Sequence, residues 1–372
     1  MKLLITGICG FVGSSLAEGL LERREGLSIW GIDNLMRPGS ELNRARLRHL
    51  GVLLVHGDIR MASDFEPLPA VDWVIDAAAN PSVLAGTQTG FSSRQLIEHN
   101  LSSVVNVLEY SKAHKAGLLL MSTSRVYSIQ ALTSLPLYAQ GDAFCLDETA
   151  KLPTGVTGRG IGVDFSTRAP ISLYGSTKLA AEALAVEYAD AFSFPVWINR
   201  CGVLAGAGQF GTPDQGVFSY WIHAHARRRP LRFIGFDGTG KQTRDVFHPR
   251  DLTVLADSQM NCQRSGGQRI YCAGGGPSNT ISLAQLTAWC DRRFGKHSPT
   301  ADSRPRPYDL PWVVMDSSDA NRDFGWSVEF PMAQLFEEIA QHAESHPDWL
   351  EMSGLEKIQA AQRMPRSESM HG

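Results

Sequence analysis

Short apolar runs alternate with amphipathic stretches through the first half of the chain. The apolar runs have the length and the β-branched character of strands, and the amphipathic stretches have the periodicity of helices. The strand-like runs are residues 2–6, 28–33, 52–56, 73–77 and 118–122, and the helix-like stretches are 12–23, 41–50 and 92–114. This alternation predicts an α/β fold of the Rossmann type, a doubly wound parallel sheet with helices on both faces.

The pattern becomes less regular after a further strand-like run at residues 196–204. We therefore expect a Rossmann domain over residues 1–204 and a smaller C-terminal α/β lobe over 205–346 that mainly binds substrate. Some strands of that lobe are expected to return to the first domain. The polar tail, 347–372, is expected to form a helical turn and then to be disordered.

Residues 128–172 interrupt the first domain with many turn-forming residues and little periodicity. A loop of this length inside a compact domain is usually functional or disordered. Because it leads directly into the helix-like stretch around Tyr174, we interpret it as a cover over the active site.

Composition excludes several classes of protein. The 372 residues are 43% hydrophobic and 20% charged, with a formal net charge of −3, which suits a globular protein and gives no basic surface for nucleic acid. No apolar run approaches the length of a membrane span, and no signal segment with a cleavage site is recognisable. The six cysteines show no metal-binding spacing, so we expect reduced thiols, no metal and a cytoplasmic protein.

A glycine-rich turn ends the first strand and opens the first helix. Gly7, Gly10 and Gly13 would let the backbone approach a pyrophosphate, which a helix N-terminus stabilises. Asp33 closes the second strand, where a carboxylate can accept hydrogen bonds from a ribose diol and would repel a 2′-phosphate. The combination predicts a dinucleotide site and favours NAD over NADP.

Residues at the ends of later strands extend this predicted site. Asp58 and Ile59 would lie beside the adenine, and the small Ala77 and Ala78 would let the backbone approach the cofactor. Asn100 is interpreted either as a polar surface residue or as a support beneath the active site. The residues expected to bind NAD are Gly7, Gly10, Phe11, Val12, Gly13, Asp33, Asn34, Asp58, Ile59, Ala77, Ala78, Asn100, Ser122, Tyr174, Lys178 and Cys201.

Tyr174 and Lys178 are four residues apart, so a helix places them on one face. A lysine ammonium beside a phenol favours the phenolate and lowers the tyrosine pKa from its ordinary value of about 10. Such a tyrosine can act as a general base near neutral pH. The spacing alone is also common in surface pairs, so the prediction depends on the surrounding motifs.

Together these motifs resemble the extended short-chain dehydrogenase/reductases, the NAD-dependent epimerase/dehydratase family that acts on nucleotide sugars. The resemblance covers residues 1 to about 345. It rests on the glycine turn, Asp33-Asn34-Leu35, Gly57-Asp58-Ile59, Ser122-Thr123, Tyr174-x-x-x-Lys178, Arg244-Asp245-Val246-x-His248 and Arg306-x-x-Asp309. Within the family, residues 122–127, 164–166, 209–216 and 240–246 are most similar to the CDP-paratose 2-epimerase (CDP-tyvelose epimerase) subgroup.

The resemblance implies catalytic roles for Thr123, Tyr174 and Lys178. Tyr174 would remove a sugar hydroxyl proton, Thr123 would hydrogen-bond the reacting oxygen, and Lys178 would hold the nicotinamide ribose and lower the tyrosine pKa. The keto-sugar would then be reduced from its other face. The implied substrate-binding residues are Thr123, Arg125, Gln209, Arg244 and Arg306, of which the last two would grip the diphosphate.

We therefore expect an NAD-dependent nucleotide-sugar epimerase, with a CDP-sugar favoured over a UDP- or GDP-sugar, and a homodimer. A 4-epimerase and a dehydrogenase that releases its keto product remain open. A dinucleotide sensor is less favoured because Tyr174 and Lys178 are both present. A dehydratase is disfavoured because Ser124 and Arg125 stand where such enzymes carry Asp-Glu.

Three departures from the family pattern leave the sugar and the base open. The run Arg200-Cys201-Gly202-Val203 lacks an expected asparagine, residues 80–85 differ from the 2-epimerase pattern, and Leu310-Pro311-Trp312 lacks an expected arginine. We interpret Cys201 as a packing residue rather than a chemical one.

Overall fold

The computed structural model describes residues 1–87, 92–262 and 266–354. Its helices are α1 (Phe11–Arg23), α2 (Asn43–His49), α3 (Ser93–Ile97), α4 (Ser103–His114), α5 (Ile129–Thr133), α6 (Ser172–Phe192), α7 (Val217–Ala226), α8 (Pro249–Asn261), α9 (Leu283–Phe294), α10 (Ser318–Phe324), α11 (Met332–Ser345) and α12 (Trp349–Met352). A π-helical turn, Glu98–Ser102, joins α3 to α4. The predicted helical turn of the tail is present as α12, and residues 355–372 lie outside the described part.

The strands, also in chain order, are β1 (Lys2–Thr6), β2 (Ser28–Asp33), β3 (Leu53–His56), β4 (Trp73–Asp76), β5 (Gly117–Thr123), β6 (Leu137–Gln140), β7 (Ala143–Leu146), β8 (Val156–Thr157), β9 (Gly160–Ile161), β10 (Val196–Cys201), β11 (Val203–Leu204), β12 (Arg232–Ile234), β13 (Thr243–Phe247), β14 (Ile270–Ala273), β15 (Thr280–Ser282), β16 (Thr300–Asp302) and β17 (Trp312–Val313).

Seven of these strands form one parallel sheet in the order β14-β10-β5-β4-β1-β2-β3. The strand order reverses beside β1, so β1 and β4 leave a crevice at their carboxyl ends, the usual ligand position in an open α/β sheet. The prediction of a Rossmann-type parallel sheet is confirmed.

Alternate side chains of the sheet enter two different cores, because successive residues of a strand point to opposite faces. Leu3 on β1 packs in a cluster with side chains of α1 and α8. Its neighbour Leu4 packs with Val74 of β4 in a cluster that includes side chains of α4 and α6. Both faces are therefore covered, which explains why the strands read as nearly continuous apolar runs.

The C-terminal part of the chain contributes to three sheets, the smallest of which is the two-stranded sheet of β12 and β16. Strand β14 pairs with β10 in register Arg200↔Cys272 and forms an edge of the large sheet. Strands β11, β13, β15 and β17 form a second sheet of four strands. The apolar faces of α7, α9 and α11 pack together there through residues such as Trp221, Leu286 and Phe336.

The segment 128–172 is folded, so the prediction of an irregular loop was wrong. It contains α5 and two antiparallel hairpins, β6–β7 and β8–β9. Its apolar residues Leu146, Ile161 and Phe165 pack in one cluster with Cys272 and Trp312. These partners are more than 100 residues away, so the segment's own sequence shows too little periodicity to reveal the hairpins.

Among the described residues, no helix is long and apolar enough to cross a membrane. The same part of the chain holds no cluster of three or more histidine, cysteine or acidic residues that could bind a metal ion. All six cysteines are free.

Candidate active site

The turn between β1 and α1 requires glycine at two positions. Gly7 has φ 62°, and a Cβ there would lie 2.8 Å from the Cα of Ala78. A Cβ at Gly13 would lie 2.4 Å from the Gly7 carbonyl oxygen. With Gly10 as its N-cap, α1 begins at the carboxyl end of β1, so its free N–H groups are available to an anion.

Replacing Gly13 with alanine is expected to weaken NAD binding roughly 5- to 150-fold, the equivalent of about 1–3 kcal/mol of overpacking. The added methyl group would push the Gly7 carbonyl out of the turn, and calorimetric titration with NAD would measure the loss. In the matched control, Gly162→Ala, the new Cβ makes only an ordinary 3.6 Å contact, so affinity is expected to stay unchanged. Equal affinities for the two variants would contradict this account of the turn.

Asp33 lies at the end of β2 beside this turn. Its Oδ2 accepts a hydrogen bond from the Cys9 backbone N–H at 2.9 Å, and its Oδ1 accepts one from the Leu35 N–H at 2.8 Å. Burial raises the pKa of Asp33, and the two backbone bonds oppose that shift. A pocket opens here, and its lining residues are Cys9, Asp33, Leu35, Arg44, Leu54, Val55 and His56.

Asp58, predicted to lie beside the adenine, is held by two neighbouring side chains. Arg60 Nε donates to both of its carboxylate oxygens, at 2.9 and 3.0 Å, and Asn34 Nδ2 donates to Oδ2 at 3.1 Å. The hydrogen bonds from Arg60 hold the pKa of Asp58 well below its usual range. Asp58 and Asn34 therefore form one polar rim, and their contact with a cofactor stays a prediction.

Asn100 is a buried support rather than a surface residue. It lies in the π-helical turn before α4, with its side chain 1% exposed. Its Oδ1 accepts from the Asn80 N–H at 2.7 Å, and its Nδ2 donates to the Asn80 carbonyl at 3.0 Å. It thereby fixes the backbone that follows β4, and direct cofactor binding by Asn100 stays a prediction.

Thr123 and Tyr174 meet where β5 ends and α6 begins. Tyr174 and Lys178 lie one turn apart on α6, as predicted, and both side chains are buried. Gly175 allows the close approach of the helix to the turn that follows β5, because a Cβ there would lie 2.2 Å from the Arg125 carbonyl oxygen. The Thr123 hydroxyl group accepts a hydrogen bond from the Arg125 N–H at 3.2 Å, and it lies near enough to Tyr174 to lower the pKa of the phenol.

Burial dominates the electrostatics of Tyr174 and raises its pKa to about 12, against the lowering effects of the Thr123 side chain and the Arg125 charge. The expectation that the Tyr174 pKa lies below its ordinary value was therefore wrong for the chain itself, and the effect assigned to Lys178 stays a prediction. The pKa of Lys178 is lowered by burial, and its ammonium is favoured by Asp76 and Glu182.

One turn further along α6, a buried ion pair lies beneath the catalytic pair. Arg200 Nη2 donates to Glu182 at 2.7 Å, and the Ser122 hydroxyl also donates to Glu182. Arg200 Nη1 reaches the Val163 carbonyl at 3.0 Å, and its guanidinium lies over the Tyr127 ring. The sequence analysis missed this network, although Glu182 follows Lys178 by four residues, a spacing that pointed to the same helix face.

Cys201 ends β10 and pairs in register with Thr123. Its side chain is buried, and burial raises the pKa of the thiol to about 12. A neutral thiol in this position packs rather than reacts, as we interpreted it from the sequence.

The predicted substrate-binding arginines come together near Tyr174. Arg244 Nη2 lies 3.4 Å from Asp309 Oδ1, and Arg125 Nη1 donates to the Tyr308 carbonyl at 2.8 Å. Burial, together with the charges of Arg244 and Arg306, lowers the pKa of Arg125 to about 10. The three guanidinium groups therefore form one electropositive cluster.

Two of the predicted substrate residues have hydrogen bonds that involve the loop between β11 and α7. Arg306 Nη2 donates to Asp214 Oδ1 at 2.8 Å and to the Pro213 carbonyl at 2.9 Å. Gln209 Nε2 donates to the Leu204 carbonyl at 2.8 Å. The sequence analysis did not predict the acidic partner of Arg306, so an anion that binds this arginine must compete with Asp214.

The chain from residue 3 to residue 271 matches the model of the NAD dependent epimerase/dehydratase family. The chain belongs to this family. Its cofactor is accordingly NAD, and the predicted family resemblance is confirmed.

Two curated relatives illustrate the similarity. CDP-paratose 2-epimerase of Salmonella typhi is 30% identical over 294 residues, which cover 77% of this chain and 82% of the relative. UDP-glucuronate 4-epimerase of Thermodesulfobacterium geofontis is 25% identical over 342 residues, 89% of this chain and 92% of the relative.

Solved structures share the fold. UDP-glucuronic acid 4-epimerase from Bacillus cereus, solved with UDP-glucuronic acid and NAD, has a TM-score of 0.71 at 21% identity and covers 93% of this chain and 99% of that chain. dTDP-glucose 4,6-dehydratase from Bacillus anthracis, solved with NAD, has a TM-score of 0.69 at 20% identity, with 95% and 99% covered. Epimerases and a dehydratase therefore share this architecture, so the residues of the active site, and not the fold, must determine which reaction occurs.

The residues of this chain fit NAD. Glycine at positions 7 and 13 permits the tight turn that a Cβ would obstruct, and the α1 N-terminus that follows it can stabilise a pyrophosphate. The Asp33 carboxylate lies in the lining of the adjacent pocket, where it suits a ribose diol and opposes a 2′-phosphate.

Proposed function

We propose that this protein is a nucleotide-sugar epimerase that oxidises its substrate transiently to a keto-sugar and then reduces it again, in the manner of CDP-paratose 2-epimerase. The observation that carries the proposal is the residue beside the catalytic pair. The Arg125 backbone N–H donates to the Thr123 hydroxyl, and the Arg125 charge affects Tyr174, at the position where elimination of water would need a carboxylic acid. A guanidinium stays protonated and cannot donate a proton to a leaving hydroxyl group.

The side chains divide the work as follows. Tyr174 accepts the proton of the sugar hydroxyl and later returns it, and Thr123, which lies near Tyr174, orients the reacting oxygen. NAD, when bound, supplies the acceptor and donor of the transferred hydride. Lys178, one turn from Tyr174 on the same helix, would hold the nicotinamide ribose.

The arginine cluster would anchor the substrate through its diphosphate. Arg244 and Arg306 present planar guanidinium groups, which suit phosphate oxygens, beside the catalytic pair. A firmly held nucleotide would keep the keto-sugar in the site while its ring turns to present the other face. A homodimer and a cytoplasmic location stay predictions.

Similarity to a CDP-paratose 2-epimerase at 30% identity favours a CDP-sugar and chemistry at C2. A 4-epimerase is the second candidate, because the UDP-glucuronate 4-epimerase relative matches a larger share of this chain, 89%. Tyr174 and Lys178 would serve either reaction equally.

A panel of CDP-, UDP- and GDP-sugars tests the proposal. Purified protein with NAD is expected to interconvert one pair of epimers without net NADH formation, as followed by chromatography and by absorbance. Continuous release of NADH would identify a dehydrogenase instead, and loss of water from the sugar would identify a dehydratase.

A further inference from the structure

Asp76 is a buried acid that the proposed chemistry does not use. It is the last residue of β4, whose other residues are apolar, and its side chain is 0% exposed. Val74, two residues earlier, packs in the core that includes side chains of α4 and α6. Because residues i and i+2 of a strand share a face, the Asp76 carboxylate faces the layer that contains α6 and Lys178.

The two oxygens of this carboxylate have unequal surroundings. Oδ1 accepts a hydrogen bond from the Thr6 hydroxyl, which in turn accepts one from the Ala78 N–H at 3.2 Å. Oδ2 has no hydrogen-bond partner within the part of the chain that the structure describes. A protonated Oδ2 would bury a hydroxyl without an acceptor, and an isolated carboxylate would be a buried, unpaired charge. Either state is costly unless a cation lies nearby.

Lys178 is that cation. Its side chain is 3% exposed, and the ionisable groups that affect its pKa are Asp76, Glu182 and the Cys201 thiol. Tyr174 lies one turn before it on the same helix. Glu182 is already bound to Arg200 and Ser122. The free oxygen of Asp76 is therefore the uncommitted anionic atom in this neighbourhood, as far as the described residues show.

We propose that Asp76 is the positioning residue of Lys178: its Oδ2 keeps the buried ammonium charged and fixes it one helical turn from Tyr174. The catalytic consequence rests on the proposed function, whereas the electrostatic attraction between Asp76 and Lys178 acts in the folded chain without any substrate. Asp76 acts through Lys178 and is not itself a catalytic residue.

A double-mutant cycle in urea tests the ion pair without any substrate. Lys178→Met leaves Asp76 buried and unpaired, so it is expected to lower the urea midpoint of unfolding. Adding Asp76→Asn to that variant removes the unpaired charge and is expected to raise the midpoint again, whereas Asp76→Asn alone lowers it. Additive shifts would overturn the proposal.

Asp72→Asn is the matched control. Asp72 precedes the same strand, is exposed, and accepts a hydrogen bond from the Lys2 N–H. Its effect is expected to be the same in the wild-type and the Lys178→Met backgrounds. A rescue of Lys178→Met by Asp72→Asn as large as that by Asp76→Asn would mean that general charge, not pairing, explains the cycle.

The pH dependence of turnover gives a second readout. Without the Asp76 charge, the pKa of Lys178 falls, so Asp76→Asn is expected to move the alkaline limb of kcat to lower pH by about one to three units. Asp72→Asn is expected to leave the profile unchanged. An unshifted limb in Asp76→Asn would overturn the proposal. An inactive wild-type protein would count against the proposed function. The double-mutant cycle in urea would still test whether Asp76 and Lys178 form an ion pair.

If Asp76→Asn does not fold, the Lys178→Met variant alone can test the proposal. Burial raises the folded-state pKa of Asp76, and Lys178 opposes that shift. Loss of Lys178 should raise the folded-state pKa of Asp76 further, so the folded variant holds its proton to higher pH than the unfolded chain does. The stability of Lys178→Met relative to wild type should therefore fall as pH increases from 5 to 8. A pH-independent difference would overturn the proposal.

Discussion

Tyr174→Phe is expected to lower kcat roughly 10³-fold, because a positioned acid–base group contributes about 10²–10⁴ in rate. The phenyl ring fits the same buried site, and the change removes the hydroxyl group that exchanges the proton with the sugar. Stability and NAD affinity should remain close to those of the wild type. Steady-state kinetics on the active sugar pair, with a thermal melt and an NAD titration, would measure the three quantities.

Tyr188→Phe is the matched control for this substitution. Tyr188 lies on the same helix, and its hydroxyl donates to Glu109 Oε1 at 2.9 Å near the surface. The control is expected to keep wild-type kcat. Wild-type turnover by Tyr174→Phe would remove Tyr174 from the mechanism.

Arg200→Met is expected to cost about 3–5 kcal/mol of the free energy of unfolding, the usual cost of breaking a buried ion pair. Glu182 would then remain buried, with the Ser122 hydroxyl still bound to it but without its cation. The guanidinium also joins β10 to the carbonyl of Val163 in the folded segment 128–172, so that segment should loosen. Urea unfolding, with limited proteolysis of the segment, would measure both effects.

Arg293→Met supplies the comparison. Arg293 pairs with Glu337 and Glu344, whose side chains are 39% and 49% exposed. A surface pair of this kind contributes about 0–1 kcal/mol. Similar losses for Arg200→Met and Arg293→Met would show that burial of the Glu182 pair has little importance.

The strands of the first half could be predicted because the parallel sheet is buried on both faces. Its strands are short continuous apolar runs, and glycine or polar residues end them, as at Thr6 before Gly7. The segment 128–172 could not be predicted in the same way. Its hairpins are stabilised by contacts such as the one between the Phe144 N–H and the Lys241 carbonyl, almost 100 residues away in the sequence.

The candidate site was predictable where local spacing decides geometry. Tyr174 and Lys178 share a helix face by their spacing alone, and the glycine turn follows from its position between a strand and a helix. Asp76 and Arg200 were missed because their roles depend on which strands and helices become neighbours. A carboxylate that ends an apolar strand was nevertheless a signal that the sequence contained.

The direction of the pKa shift of Tyr174 could not be predicted from the sequence. A pairwise argument from sequence considers the lysine charge and omits desolvation, which dominates here and raises the tyrosine pKa to about 12. Similarly, the sequence predicted phosphate-binding roles for Arg244 and Arg306 but not the carboxylates of Asp309 and Asp214 that contact them.

The central claim is epimerisation by transient oxidation, and isotope incorporation tests it most directly. The active sugar pair is equilibrated by the protein in D₂O and examined by NMR. We predict that the epimerised carbon retains its own hydrogen, because the hydride leaves and returns without exchange with solvent. Deuterium at that carbon would indicate deprotonation and reprotonation instead, and would contradict the account.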